Sequence, residues 1–355
     1  MRPLIATIRL ERFRQNYLLA RQQHGGRALA VVKANAYGHN AVRCAQAVAD
    51  VADGYAVACL EEALELRAAG ISQPIVLLEG LFEPAELAEV ERHDIWFVVQ
   101  NDAQLAMIAA ARPAKPYTVW LKLDSGMHRA GFFPHDYAAA YQRLMATGNV
   151  ARIVKMTHFA RADEPALPCT QAQVETFDAA CRGLEGDESI ANSAAILCHE
   201  RTHRQWGRPG IILYGASPLP QGYSQGDGFL PVMRLTTRVF GVRELAAGEA
   251  IGYGGTFVTQ RPTRVGLIAC GYADGYPRLA STGSPVAVNG QRTQVIGRVA
   301  MDMMTVDLTD LPSAGLGSEV ELWGDTVHVN EVAAEAGTIA YEVLCNVKRA
   351  HMQFE

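Results

Sequence analysis

The chain reads as α/β: an N-terminal (β/α)8 TIM-type barrel over residues 1–228, then a C-terminal mostly β domain over residues 229–355. Three observations carry this reading. Short, nearly unbroken apolar runs recur through the first two thirds, the mark of parallel strands buried on both faces. Ala/Leu/Glu-rich stretches of helical character separate them. Beyond about residue 228 those helical stretches give way to successive strand-like segments.

The apolar runs are ALAVVK (28–33), GYAVAC (54–59), PIVLLE (74–79), IWFVV (95–99), YTVWLKL (117–123), RIVKMTH (152–158) and ESIANS (188–193). Between them, EEALELRAAG (61–70) stops at a glycine, as helices often do. EPAELAEVERH (83–93) has a proline at its expected first helical position. Seven units with an eighth near 205–215 predict closure into a barrel rather than an open sheet. The eighth is expected to be a short strand ending near Arg208, with Gly210 opening a turn or short helix. Further on, VMRLTTRVFGVREL, TRVGLIAC, SPVAVNGQRTQVIG and SEVELWG are rich in β-formers. Asn289-Gly290 signals a type I′ hairpin, and a helix is expected near 330–336.

Composition excludes several classes. Of the 355 residues 49% are apolar and 19% charged, and the net charge of -5 leaves no basic footprint for nucleic acid. No apolar run approaches the roughly 20 residues that span a bilayer. The opening MRPLIATIRLERFRQN has early charges and no long apolar region, so no signal peptide is expected. The seven cysteines form no C-x-x-C, which suits a reducing cytoplasm and argues against a zinc site.

In a barrel, active sites gather at the C-terminal ends of the strands. Lys33 ends the first. By itself it is a strand-end lysine whose stem packs while its amine reaches water, yet a partly dry lysine can form a Schiff base. Tyr37 and His39 follow in the same turn, placed either on the surface or against a ligand bound at Lys33. Lys122 ends the fifth strand and Arg129 follows in LKLDSGMHRAG. They are either two solvated cations, one paired with Asp124, or a fork able to grip a carboxylate. His158 ends the sixth strand and Asn192-Ser193 the seventh, and Arg208-Pro209-Gly210-Ile211 lies at the eighth. Loops after the last two strands are the usual phosphate site of this fold. Ser193 supplies a hydroxyl there and Gly210 allows close backbone approach. A Schiff-base lysine and a phosphate site on one barrel mouth point to pyridoxal 5′-phosphate.

With these residues in place, the chain resembles the alanine racemase family over essentially its whole length. VVKANAYGHN is similar to that family's cofactor-lysine signature. LKLDSGMHRAGF, THFARAD, ANSAA, RPGIILYG, IGYGGTF, GYADGYPR, GRVAMDMMTVDLTD and LCNVKR follow in the family's order. Asn40 stands where the family often has glycine.

The resemblance implies roles. Lys33 would hold pyridoxal 5′-phosphate covalently. Tyr37, Ser193, the backbone of Gly210 and Ile211, and Tyr341 would hold its phosphate. Arg208 would face the ring nitrogen, with His158 and Asn192 supporting the ring. Arg129 and the Met301 backbone would contact the substrate carboxylate, and Tyr272 would line the way in. Lys33 would serve the D-face of alanine and Tyr253 the L-face. Tyr253, Tyr272 and Met301 would come from the partner subunit of a homodimer with shared sites. The enzyme would be a cytoplasmic racemase that supplies or degrades D-alanine.

Lys122 is expected to carry a carbamate. Two cations, Lys122 and Arg129, would repel in a partly dry pocket, and CO2 added to the lysine amine makes an anion for Arg129. The resemblance points the same way, whereas a plain ammonium paired with Asp124 is the alternative. Two other functions remain open on the residues. One is a decarboxylase of the same fold type, which usually pairs the ring nitrogen with a carboxylate rather than an arginine. The other is a non-catalytic cofactor-binding protein, which has no β domain and no counterpart of Tyr253.

Overall fold

The computed structural model describes residues 2–355. After β1 (Ile5–Ile8) and a helix over Leu10–His24, eight strands follow in chain order: β2 (Arg27–Val31), β3 (Gly54–Val57), β4 (Ile75–Leu77), β5 (Trp96–Val99), β6 (Tyr117–Lys122), β7 (Val150–Met156), β8 (Glu188–Ser189) and β9 (Trp206–Gly207). All neighbours pair parallel, from β8 back through β2 and on to β9. Every residue of β3 and β4 is buried, which is why these runs show no alternation. The ring closes just past the strand ends. Arg208 N–H donates to the Ala191 carbonyl at 2.9 Å, and Ser189 Oγ donates to the Trp206 carbonyl at 2.9 Å.

Several expected boundaries move, for local reasons. The ESIANS run keeps only Glu188–Ser189 as strand. Asn192 leaves the ladder to cap the helix Ser193–Cys198, its Oδ1 accepting from Ala195 N–H at 3.0 Å. Lys33 lies two residues past the end of β2 and opens a turn of its own. His158 lies two past β7. Pro84 precedes its helix rather than starting it. That helix spans Glu86–Arg92, and Glu86 Oε2 reaches back to Phe82 N–H at 2.6 Å. The eighth unit is as expected: Trp206–Gly207 pairs, and Gly210 leads into a 3-10 turn over Ile211–Tyr214.

The remaining strands are β10 (Met233–Leu245), β11 (Ala250–Ile251), β12 (Phe257–Val258), β13 (Thr263–Ile268), β14 (Pro285–Val288), β15 (Gln291–Gln294), β16 (Met304–Asp307), β17 (Glu319–Trp323) and β18 (His351–Phe354). Asn289 and Gly290 have φ of +50° and +80°, the two positive values a type I′ turn requires. A helix over Val329–Glu335 lies where one was expected. One feature has no signal in the sequence. β1 pairs antiparallel with β10 and parallel with β18, so both ends of the chain are stitched into the second sheet. One apolar core continues from the barrel into that sheet. A small satellite of Ile251, Val265 and Ile296 supports the β11–β12 hairpin.

Candidate active site

Beyond β2 the backbone does something unusual. Ala34, Asn35, Ala36 and Tyr37 all lie in the left-handed region, with φ between +48° and +53°. Each such non-glycine residue costs roughly 1–2 kcal/mol, so the turn must be held by its surroundings. Its effect is to bury the Tyr37 ring 4.7 Å from Tyr214 and 5.7 Å from Tyr341. A Cβ added to Gly210 would stand 2.7 Å from Tyr37 Oη, and Gly210 N–H donates to Ser193 Oγ at 2.8 Å. Tyr37, Ser193, Gly210, Ile211 and Tyr341 therefore gather in one place. Burial raises the Tyr37 and Tyr341 phenols, so both stay protonated and able to donate.

Arg208 is 4% exposed and is held from the strand ends. Its Nη1 donates to the Ser189 carbonyl at 2.7 Å and to Ser189 Oγ at 2.6 Å, and its Nη2 to the Thr157 carbonyl at 2.6 Å. Burial pulls its pKa to about 10, and it remains charged. Its Nη2 lies 3.4 Å from His158 Nδ1. Burial, then the charges of Arg208, Lys122, Arg129 and Lys33, push the His158 pKa well down. The ring is therefore neutral, and Nδ1 accepts. Asn192 spends its Oδ1 on the helix cap, and its Nδ2 is not part of that cap.

Lys122, at the end of β6, is 8% exposed. Its pKa falls to about 8, chiefly through burial, then through Arg129 and Arg208, with Asp124 opposing and Lys33 adding to the fall. The Asp124 carboxylate is engaged elsewhere. It accepts from Gly126 N–H at 3.1 Å and His128 N–H at 2.9 Å, and it sits 3.3 Å from His128 Nδ1. Arg129 is exposed in the same loop.

The second group lies on the β domain. Tyr253 sits at the tip of the β11–β12 hairpin and is 71% exposed. Tyr272 and Met301 share a platform. Tyr272 N–H donates to the Ala300 carbonyl and Ala273 N–H to the Met301 carbonyl, both at 3.0 Å. Below them the buried Asp274 carboxylate accepts from Gly271 N–H at 2.9 Å and from Arg2 Nη2 at 2.6 Å. Met301 is nonetheless 54% exposed and Tyr272 39%. Three large side chains on fixed backbone thus face solvent in the single chain.

Sequence reasoning missed several supports. Ser189 and Thr157 hold Arg208. Gln173 ties Ser125 Oγ to the His158 carbonyl, both at 3.2 Å. Tyr214 packs between Tyr37 and His39, 4.7 Å from each ring. None stands in a spacing that marks it, since each acts through a contact distant in sequence.

Comparison with known proteins adds the following. A family model described as alanine racemase, N-terminal domain, matches residues 8–218, and one described as alanine racemase, C-terminal domain, matches residues 232–354. A protein of Azoarcus sp. (strain BH72) named alanine racemase is 60% identical over 354 residues, covering 100% of this chain and 99% of that protein. The crystal structure of the biosynthetic alanine racemase from Pseudomonas aeruginosa superposes with a TM-score of 0.97 at 47% identity, covering 100% of both chains. An alanine racemase from Bartonella henselae, described with covalently bound pyridoxal phosphate, gives 0.90 at 27% identity, again with 100% of both chains covered.

Proposed function

The chain belongs to the alanine racemase family, and on that premise we propose that Lys33 and Tyr253 exchange the α-proton of alanine from opposite faces, in a site that a second subunit completes. The reaction is the interconversion of L- and D-alanine.

The residues at the barrel mouth fit pyridoxal 5′-phosphate. Gly210 leaves open the space beside Tyr37 Oη that any side chain would fill. The donors around it are neutral: the Ser193 and Tyr37 hydroxyls, the Tyr341 phenol and backbone N–H groups. When bound, the cofactor supplies an electron sink that acidifies the α-proton of an amino acid.

The chain's own residues do the rest. Lys33 anchors the cofactor, and its amine takes or returns a proton on the D-face. Tyr253 does the same on the L-face through its phenol. Arg129 orients the substrate carboxylate through charge-assisted bonds. The observation that carries the reading is Arg208. It is buried, charged and fixed by four contacts, with its Nε–H left over for the cofactor ring. A guanidinium keeps its proton, so Arg208 would offer the cofactor's ring nitrogen a hydrogen bond and no proton. It would thereby restrain the cofactor's electron withdrawal and favour return of the proton over loss of other groups. A decarboxylase of this fold type would place a carboxylate there.

Lys122 is read as a carbamate. Its lowered pKa leaves a sizeable neutral fraction near neutral pH. That amine adds to CO2, releases one proton and becomes an anion that Arg129 can bond. Engagement of Asp124 by the 126–128 loop supports this over an ammonium–carboxylate pair. The exposure of Tyr253, Tyr272 and Met301 supports a homodimer in which each reaches the partner subunit's barrel. All seven cysteines are free, which supports a reducing, cytoplasmic setting.

Incubation with L-alanine tests the function. Optical rotation is expected to decay to zero with no CO2 released. Stable rotation, or CO2 release in step with turnover, contradicts it.

A further inference from the structure

The left-handed turn 34–37 is gripped at both ends by side chains with no assigned role. His39 is fully buried, and its Nδ1 lies 3.0 Å from the Ala36 carbonyl and 2.9 Å from the Tyr37 carbonyl. Both neighbours are acceptors, so Nδ1 carries the hydrogen and the tautomer is fixed. Nε2 is buried with no partner among the described residues. The ring therefore cannot pass protons onward or reach a substrate. On its flank it packs 4.7 Å from Tyr214, which packs 4.7 Å from Tyr37, and Tyr214 Oη is pinned to the Val31 carbonyl at 2.8 Å. At the other end Glu62, from the helix Leu60–Ala68, accepts from Ala34 N–H at 2.6 Å through Oε1 and from Ala58 N–H at 2.7 Å through Oε2.

We infer that His39 is a positioning residue, with Glu62 as its counterpart: together they hold residues 34–37 left-handed, and this is what aims Tyr37 at the phosphate of the cofactor. Four consecutive non-glycine residues do not choose this conformation on their own. Without the two His39 bonds the turn relaxes toward right-handed or extended backbone, and Tyr37 Oη leaves its place beside Gly210. The inference rests on the reading of Tyr37 as a phosphate ligand.

The test compares binding of pyridoxal 5′-phosphate with binding of pyridoxal, which lacks the phosphate, to the full-length apoprotein. The parent prefers the phosphorylated form. Tyr37→Phe is expected to cut that preference about tenfold or more, the value of a hydrogen bond to a charged group. His39→Leu is expected to do the same, although it touches no ligand. His39→Asn, whose Nδ2–H stands where Nδ1–H stood, retains the preference. Ala34→Gly added to His39→Leu restores part of it, because glycine adopts the left-handed region at little cost. If His39→Leu does not fold, Glu62→Gln carries the same comparison with the same expected selective loss. Equal weakening of both ligands in these variants overturns the inference, as does a His39→Asn protein no better than His39→Leu. If Tyr37→Phe loses the preference while His39→Leu keeps it, the phosphate reading stands and the inference falls. If Tyr37→Phe keeps the preference, the phosphate reading itself is wrong and the inference goes with it.

Discussion

Lys33 stands at the head of a strained turn, and Lys122 sits buried among like charges. Different surroundings underlie the different roles proposed for these two lysines. Lys33→Ala is expected to abolish the visible absorbance of bound cofactor and all racemisation. Borohydride trapping of the cofactor on another lysine in that variant would contradict the assignment. For Lys122 the sign follows from chemistry: CO2 adds only to the neutral amine. Burial and the neighbouring cations lower its pKa to about 8, so carbamate should be present near neutral pH and increase as pH rises through that value at fixed dissolved CO2. Carbon-13 NMR of protein in labelled bicarbonate should show one carbamate signal that Lys122→Ala removes. A parent spectrum without it, or a bare Nζ in crystals grown with bicarbonate, contradicts the modification.

Elements depend on residues at the opposite end of the barrel from the site. Where β2, β7 and β9 begin, Asp187 accepts from Arg27 and Arg152, and from Trp206 Nε1 at 3.0 Å. Asp187→Ala is expected to cost about 1–2 kcal/mol of stability in denaturant unfolding, since the arginines are partly solvated and screened. A loss indistinguishable from zero would show that the cluster does not hold the barrel floor. His24, at the end of the first helix, and His39 are buried neutral, and burial lowers both pKa values from 6.5 to about 4. Depressed folded-state values mean that the unfolded chain binds protons first as pH falls. The stability these rings contribute is therefore whole above pH 6.5 and is lost toward pH 4, by an amount on the order of a few kcal/mol. The melting temperature of the apoprotein should fall across this window, and His39→Asn should flatten the fall. A flat profile in the parent contradicts the buried-neutral assignment.

Across the whole molecule, what could be read in advance follows from what the chain repeats. Parallel strands buried on both faces leave long apolar runs, and the barrel then tells which end of each run is chemical. Lys33, Lys122, His158 and Arg208 were legible for that reason, and the order of motifs supplied the rest. The left-handed turn was not legible, because alanine at 34 and 36 carries no local preference for it and the force that holds it comes from His39 and Glu62. Nor was the pairing of β1 with β10 and β18, which joins residues more than two hundred positions apart. Tyr253 read as an ordinary turn or core residue until family resemblance marked it, since the role proposed for it needs surface from another chain. That need gives the most direct test of the two-base, shared-site mechanism. Purified Lys33→Ala and Tyr253→Phe proteins, each expected to be crippled, with a general acid or base typically contributing ~10²–10⁴-fold, are mixed under conditions that exchange subunits. Heterodimers then hold one intact site, with Lys33 from one chain and Tyr253 from the other. Random pairing predicts recovery of about a quarter of parental racemase activity per site, whereas a mixture no more active than the separate variants would contradict a site shared between subunits.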